Sequence, residues 1–326
     1  MRFAFTADQD ALREAVADAL AATCPPTRVR EAWAARDDAL RGSLAELGLL
    51  GINLPGEVGG LELGPVDWVQ PLEVVGRHAA PVALVETLAT NPVLATLGLS
   101  SLAGEVAAGE AFVTLAGPDG LALDADVAAH VVSVSREGTV RLTDRPALEP
   151  VRSVDGSQRL FRVREAGEVV AVDGRAVLDT AALAAAAQLL GLSRWMLDTA
   201  VEYAKARRQF GAPIGSFQAV QHRLVDALLG LRFAAPMVWR AAWALAEGEP
   251  DASLAVAEAK LHATEAADRV ARQALQVHGA IGYAFEHDLH LWMKRAWVLG
   301  RRWGDPGACL DTVRAAVLSS PAPGAP

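Results

Sequence analysis

The sequence predicts a mainly α protein with a small central β domain. Three observations predict it. Apolar residues recur at helical spacing through the first hundred residues and again from Leu178 onward. Between these stretches, valines alternate with polar residues, the period of a strand. Glycine and proline cluster where the period changes. With 326 residues, 52% of them hydrophobic, the chain is long enough to bury a large core.

The elements follow in order. "TADQ", Thr6 to Gln9, has the form of a capping box, a hydroxyl followed three residues later by an amide, and starts the first helix. "LRGSLAELGLLGINLP" reads as a helix that stops at glycine and proline, and "EVGGLELG" as a loop. Helical spacing resumes from Pro65 to about Gly98. "HVVSVSREGTVRLTD" puts Val132, Val134, Val140 and Leu142 on one side of a hairpin turning at Glu137-Gly138. "FRVREAGEVVAVDG" reads as a second hairpin, turning near Ala166-Gly167. Beyond it, Leu189, Leu192, Met196, Ala200 and Tyr203 form a helical stripe whose start Asp179 or Thr180 would cap. Helices follow over roughly 220–246 and 251–278. The predicted domains are therefore a helical one over 1–109, a reduced β domain over 110–176 and a helical bundle over 177–318. The tail "SSPAPGAP", 319–326, is expected to be disordered.

Composition narrows the function. The net charge is −9 and no basic cluster stands out, which argues against nucleic acid as a partner. The two cysteines, Cys24 and Cys309, make neither a metal-ligand spacing nor a disulfide framework, as expected in a reducing cytoplasm. His278, His287 and His290 lack further ligands at structural-site spacing, so no metal is expected. No run approaches the roughly 18 apolar residues of a membrane span, and no signal peptide is evident.

Two stretches carry candidate chemistry. "RRQFGAPIGSFQAVQ", 207–221, follows a helix and gathers two arginines, two glutamines and two glycines. An arginine there can simply complement a helix C-terminus. The density of planar polar groups also suits phosphate oxygens and an adenine or ribose edge. "QVHGAIGYAFEHDLHLWMKR", 276–295, places Gly279 and Gly282 after a helix. That is either a helix cap and turn or a loop admitting a ligand against main chain; with no preceding strand it is no Rossmann fingerprint.

Both stretches resemble the signatures of flavin-dependent acyl-CoA dehydrogenases, approximately Arg-x-Gln-Phe-Gly-x-Pro-Ile-x-x-Phe-Gln-x-x-Gln and Gln-x-x-Gly-Gly-x-Gly-Tyr. "LAELGLLGINLPGEVGGLELG" resembles their N-terminal helix and loop. The resemblance implies an N-terminal α domain, a β domain, a C-terminal four-helix bundle, and FAD lying across a subunit boundary. Carried over, the contacts to FAD adenosine and pyrophosphate fall on Arg207, Phe210, Gln218, Gln276, Gly279 and Gly282; Ala280 replaces the family's second glycine.

The same resemblance exposes what is missing. The family's chemistry needs a carboxylate to take the α-proton of the thioester. One usual position of that glutamate falls on Trp303 in "RRWGDP", the other on Ala181 in "LDTAAL", where the neighbouring arginine is Ala182. The flavin-ring segment of the β domain is replaced by "TLAGPDGLALDAD" from Thr114. The chain therefore resembles the non-catalytic β-type subunit of actinobacterial α2β2 acyl-CoA dehydrogenases, some of which act on steroid side-chain thioesters. Its expected partner is a catalytic α subunit, which would hold the acyl-CoA; a homodimer is the other arrangement. Two alternatives are a self-sufficient enzyme using another carboxylate, Asp305 or Glu286 with Asp288 nearby, and a scaffold without ligand.

Overall fold

The computed structural model describes residues 4–164 and 167–319. Six helices open the chain: α1 Ala7–Thr23, α2 Pro26–Glu31, α3 Asp38–Glu46, α4 Pro65–Arg77, α5 Leu84–Thr96 and α6 Ser100–Ala107. The capping box is present: the Gln9 amide N–H donates to Thr6 Oγ1 and Thr6 N–H to Gln9 Oε1 at 2.9 Å. α3 stops where Gly48 takes a φ of +73°.

Seven strands follow: β1 Val113–Ala116, β2 Leu121–Leu123, β3 His130–Val134, β4 Val140–Asp144, β5 Leu148–Val151, β6 Leu160–Val163 and β7 Glu168–Val170. They form one sheet in the order β5-β6-β2-β1-β3-β4-β7. The first expected hairpin is there: Val132 faces Leu142 and Val134 faces Val140, with Gly138 at φ +83° in the turn. The second is not. β6 pairs with β2 and β5 while β7 pairs with β4, on the far side of the sheet. Alternation identified both strands, but a strand's partner is set by tertiary pairing, which alternation does not encode. The expected turn at Ala166 lies outside the described residues.

The chain then returns to helix: α7 Gly174–Ala206, a short ribbon of β8 Arg208–Gln209 and β9 Ala212–Pro213, α8 Gln218–Glu247, α9 Ala252–His278, α10 Leu289–Arg301 and α11 Pro306–Ser319. α7 starts earlier than the sequence suggests. Asp173 is its cap, accepting from the N–H of Arg175 at 2.9 Å and Ala176 at 3.4 Å, so Asp179 and Thr180 are interior. Every residue from Ala181 to Ser193 is buried, so α7 is covered on all sides rather than along one stripe. By length and composition it would cross a membrane, contrary to the expectation above. However, 83% of its apolar window is buried against its own chain, as in a central core helix.

α4 lies across α7 at backbone contact. A Cβ on Gly76 would sit 2.1 Å from the Gln188 carbonyl oxygen, and one on Gly191 would sit 1.8 Å from that of Glu73. Only glycine fits at these two crossings. One apolar core thereby runs from the N-terminal helices through α7 to α9 and α10.

Candidate functional site

The two singled-out stretches meet at one end of the bundle. Tyr203, in the last turn of α7, stacks on His278, the last residue of α9, with centroids 4.6 Å apart. Arg223 of α8 donates to Gln273 of α9 at 3.1 Å. Gly215 lies against α7, where a Cβ would come within 3.0 Å of the Ala204 carbonyl oxygen. The end of α7, the start of α8 and the end of α9 therefore form one rim.

On that rim Arg207, Gln218 and Gln276 are exposed, and their side chains make no hydrogen bond or ion pair with any described residue. Arg207 is fixed only by main chain: its N–H donates to Tyr203 and its carbonyl accepts from Ile214, both at 2.8 Å. No side chain caps α8 at Phe217, so its first N–H groups remain available, an arrangement suited to a phosphate. Gly279 has a φ of +62° and open space where a Cβ would be. Gly282 differs: a Cβ there would lie 2.9 Å from Leu275 and 3.0 Å from His278, so glycine is needed for the loop's own packing. Phe210 is 95% exposed at a φ of +54°, edge-on to Phe217 at 6.2 Å. An exposed aromatic held in a left-handed conformation is a strained, unburied feature of this rim.

The three histidines serve packing. His278 is sandwiched by Tyr203 and His287, and His290 stacks on Phe285. Burial pushes His278 and His290 below the ordinary histidine range.

The second region is a cleft of about 720 Å³ between α7, α9, the segment 301–312 and the loop after β1. Trp303, where the sequence resemblance would put the base, is buried with a φ of +58°. Arg302 sits 4.3 Å above its ring, and a Cβ on Gly117 would meet the ring at 3.1 Å. Arg302 is itself buried, donating to Glu86 of α5 at 2.8 Å and to the Leu121 carbonyl at 3.3 Å. Ala181 is fully buried, and its methyl offers no proton acceptor.

Lys260 of α9 completes the lock. Its ammonium is fully buried and donates to the carbonyls of Gly304 at 3.0 Å and Gly300 at 3.3 Å, and to Thr264 Oγ1 at 3.3 Å. Burial lowers its pKa to about 8. Sequence reading missed it. The available signal was a lysine on the apolar stripe Val256, Lys260, Ala263, Ala267.

The proposed substitute carboxylates do not converge on this cleft. Glu286 is exposed on the 281–288 loop, where its carbonyl accepts from Arg30, and Asp288 pairs with Arg30 at 2.6 Å. Asp305 does line the cleft, but it caps α11, accepting the Ala308 N–H at 3.0 Å. Asp179 lines the cleft too and is 5% exposed. Burial raises its pKa, while Ser253 and Arg175 donate to its carboxylate and oppose the rise. Thr114 does not face a ligand: its hydroxyl donates to the Leu123 carbonyl within the sheet, at 2.5 Å. Among the described residues no group of three or more metal-ligating side chains forms.

The acyl-CoA dehydrogenase N-terminal domain model matches residues 6–101, and the C-terminal domain model matches 172–305. The acyl-CoA dehydrogenase IpdE2 of Mycobacterium tuberculosis is 33% identical over 320 residues, covering 96% of this chain and 98% of that one. The chain belongs to the acyl-CoA dehydrogenase family. Two solved structures in that family are similar over nearly their full length. The Tcur3481-Tcur3483 steroid acyl-CoA dehydrogenase variant is 25% identical with a TM-score of 0.86, covering 95% of this chain and 98% of that one. The ChsE4-ChsE5 complex of Mycobacterium tuberculosis is 25% identical with a TM-score of 0.87, covering 99% and 100%. Both are assemblies of two named chains, so the resemblance to heteromeric family members holds.

The family is one of FAD-dependent oxidoreductases, and the two regions fit that cofactor unequally. The rim offers a free guanidinium, two free amides, uncapped helix donors and open space at Gly279, a donor set for phosphate and adenine. In the cleft an indole stands where the sequence resemblance would put the base, and Asp179 and Asp305 are held by other groups.

Proposed function

We propose that this chain is the non-catalytic subunit of a heteromeric, FAD-dependent acyl-CoA dehydrogenase. Its rim completes the adenosine and pyrophosphate site of a flavin held mainly by a catalytic partner. The observation that carries this reading is the contrast between Arg207, Gln218 and Gln276, which are free at the surface, and the Trp303 position, which is filled. Bound FAD would accept hydride from the substrate; this chain's residues would hold its anionic and adenine parts. Arg207 would form charge-assisted hydrogen bonds to phosphate, with Gln218 and Gln276 bonding the adenosine.

An apolar face on α8 supports the pairing. Phe217, Val225, Leu229 and Phe233 recur at multiples of four residues and are 37% to 75% exposed. Such a stripe on a surface helix belongs against another subunit. The similarity to a steroid acyl-CoA dehydrogenase makes a bulky, steroid-derived acyl-CoA the proposed substrate class, bound in the partner.

Co-expression with a dehydrogenase chain that carries the glutamate, followed by flavin absorbance, tests the reading. The complex should be yellow and active, and the isolated chain colourless and inactive. Arg207→Ala should lower the complex's FAD affinity about 10- to 100-fold, the worth of a charge-assisted hydrogen bond. Stoichiometric flavin or turnover in the isolated chain would overturn the proposal.

A second reading rests on Asp179. It is a buried carboxylate in the cleft with a raised pKa, the condition of a general base. In that reading the chain is catalytic itself, with Asp179 in place of the missing glutamate.

A further inference from the structure

A separate cavity of about 360 Å³ opens where α1, α4, α7 and α8 meet. It shares no lining residue with the Trp303 cleft and no residue with the rim. Its lining combines apolar side chains, Leu190, Leu231, Ala235, Pro236 and the ring of Trp239, with four guanidinium groups and Glu73.

Two of these arginines are already paired. Arg13 contacts Asp10 at 3.6 Å and Glu14 at 2.9 Å, and Arg77 contacts Asp198 at 2.8 Å. Arg194 and Arg232 make no hydrogen bond or ion pair with any described residue. Arg194 acts on Glu73 only from beyond contact distance, and Glu73 instead accepts the Trp239 indole N–H at 2.8 Å. Burial raises Glu73 to about 7, so the wall carries less negative charge than its composition suggests. Nearby polar groups are unmatched as well. Gln70 Oε1 is buried without a partner. Pro236 has no N–H, so the Arg232 carbonyl lacks its helical donor.

A cavity lined by apolar side chains and two unpaired guanidinium groups suits a molecule with an apolar part and an anionic part. The volume lies at the small end of ligand pockets, roughly 300–1,000 Å³. A bare inorganic anion would leave the apolar lining wet. The fork of an arginine matches a carboxylate. We propose that this cavity binds a small organic acid, its carboxylate held by Arg194 and Arg232 and its hydrocarbon lying on Leu231, Pro236 and Trp239. The site does not depend on the flavin reading above.

The Trp239 indole N–H reports directly from the cavity wall. In ¹⁵N-labelled protein its resonance is assigned by its loss in Trp239→Phe and then followed during titration with hexanoate. A saturable shift is expected, with hexylammonium and inorganic phosphate giving none. Arg194→Gln and Arg232→Gln should each weaken hexanoate about tenfold or more, as for a lost charge-assisted bond. Arg194→Lys and Arg232→Lys keep the charge and should weaken it less. The proposal is overturned by the absence of a saturable shift up to about 10 mM hexanoate, a range that covers even weak millimolar binding. It is equally overturned by phosphate or hexylammonium matching hexanoate on the wild-type protein, or by unchanged binding in the double Arg→Gln variant.

Discussion

The rim at Arg207 and the cleft at Trp303 belong to the same bundle, yet they treat polar groups in opposite ways. On the rim, the side chains of Arg207, Gln218 and Gln276 stand in water without partners among the described residues. In the cleft, the buried ionisable groups are tied down: Arg302 to Glu86, Lys260 to two carbonyls, Asp179 to Arg175 and Ser253. An exposed polar group loses little by waiting for a ligand, because water satisfies it. A buried charge cannot wait, and without a resident ligand it needs a protein partner. The difference teaches where polar groups remain free for a ligand: at Arg207, Gln218 and Gln276, whereas the buried charges beside the cleft of about 720 Å³ are already held by internal bonds.

That contrast is sharpest where the bonds are most buried. Glu86→Ala leaves the Arg302 guanidinium unpaired at a site where both side chains are at most 6% exposed. Removing one member of a buried pair typically costs about 3–5 kcal/mol. Chemical denaturation of the variant should show a loss of that size. A loss below about 1 kcal/mol, the level of a surface pair, would mean that this pair behaves as a solvent-screened one.

Lys260 offers the next largest effect, and its sign is fixed. The unfolded chain holds the ammonium proton up to the ordinary 10.5, the folded chain only to about 8. Below pH 8 both states are charged, and the folded state bears the burial penalty. Between about 8 and 10.5 only the unfolded chain binds the proton, so stability rises with pH. The fall from 10.5 to about 8 corresponds to about 3 kcal/mol over that window. Lys260→Met should remove this rise relative to wild type, whatever it does to absolute stability. Parallel stability–pH curves for the two proteins would show that the ammonium is not desolvated.

The sequence reveals the rim better than the cleft, for a physical reason. The rim is made of consecutive residues, so its glutamine, arginine and glycine spacing is visible in one dimension. Trp303 and Ala181 were legible in the same way, as empty places in a pattern. What fills the cleft was not, because Glu86, Asp179, Lys260 and Arg302 come from distant segments and meet only in the folded chain. The β region repeats the lesson. The hairpin of β3 and β4 is local and was read in register, whereas β6 and β7 look like a hairpin in sequence and lie apart in the sheet. Asp173 was overlooked as the cap of α7 because Asp179, farther along, also has capping chemistry.

The smallest expected effect is the one that decides between the two functional readings. Asp179 is the buried carboxylate best placed to break the contrast, since it lines the cleft and its proton affinity is raised. Its bonds argue the other way. Arg175 at 3.0 Å and the Ser253 hydroxyl both stabilise the ionised form and point its oxygens at protein rather than at a substrate. A carboxylate so engaged serves to join α7 to the start of α9, where Ser253 sits. Asp179→Asn retains the shape and can still accept from Ser253, so the fold should survive. In the complex with its partner, the variant should turn over acyl-CoA at the wild-type rate. A general base contributes about 10²- to 10⁴-fold. A fall of that size, with flavin content unchanged, would move the chemistry into this chain and make the cleft an active site.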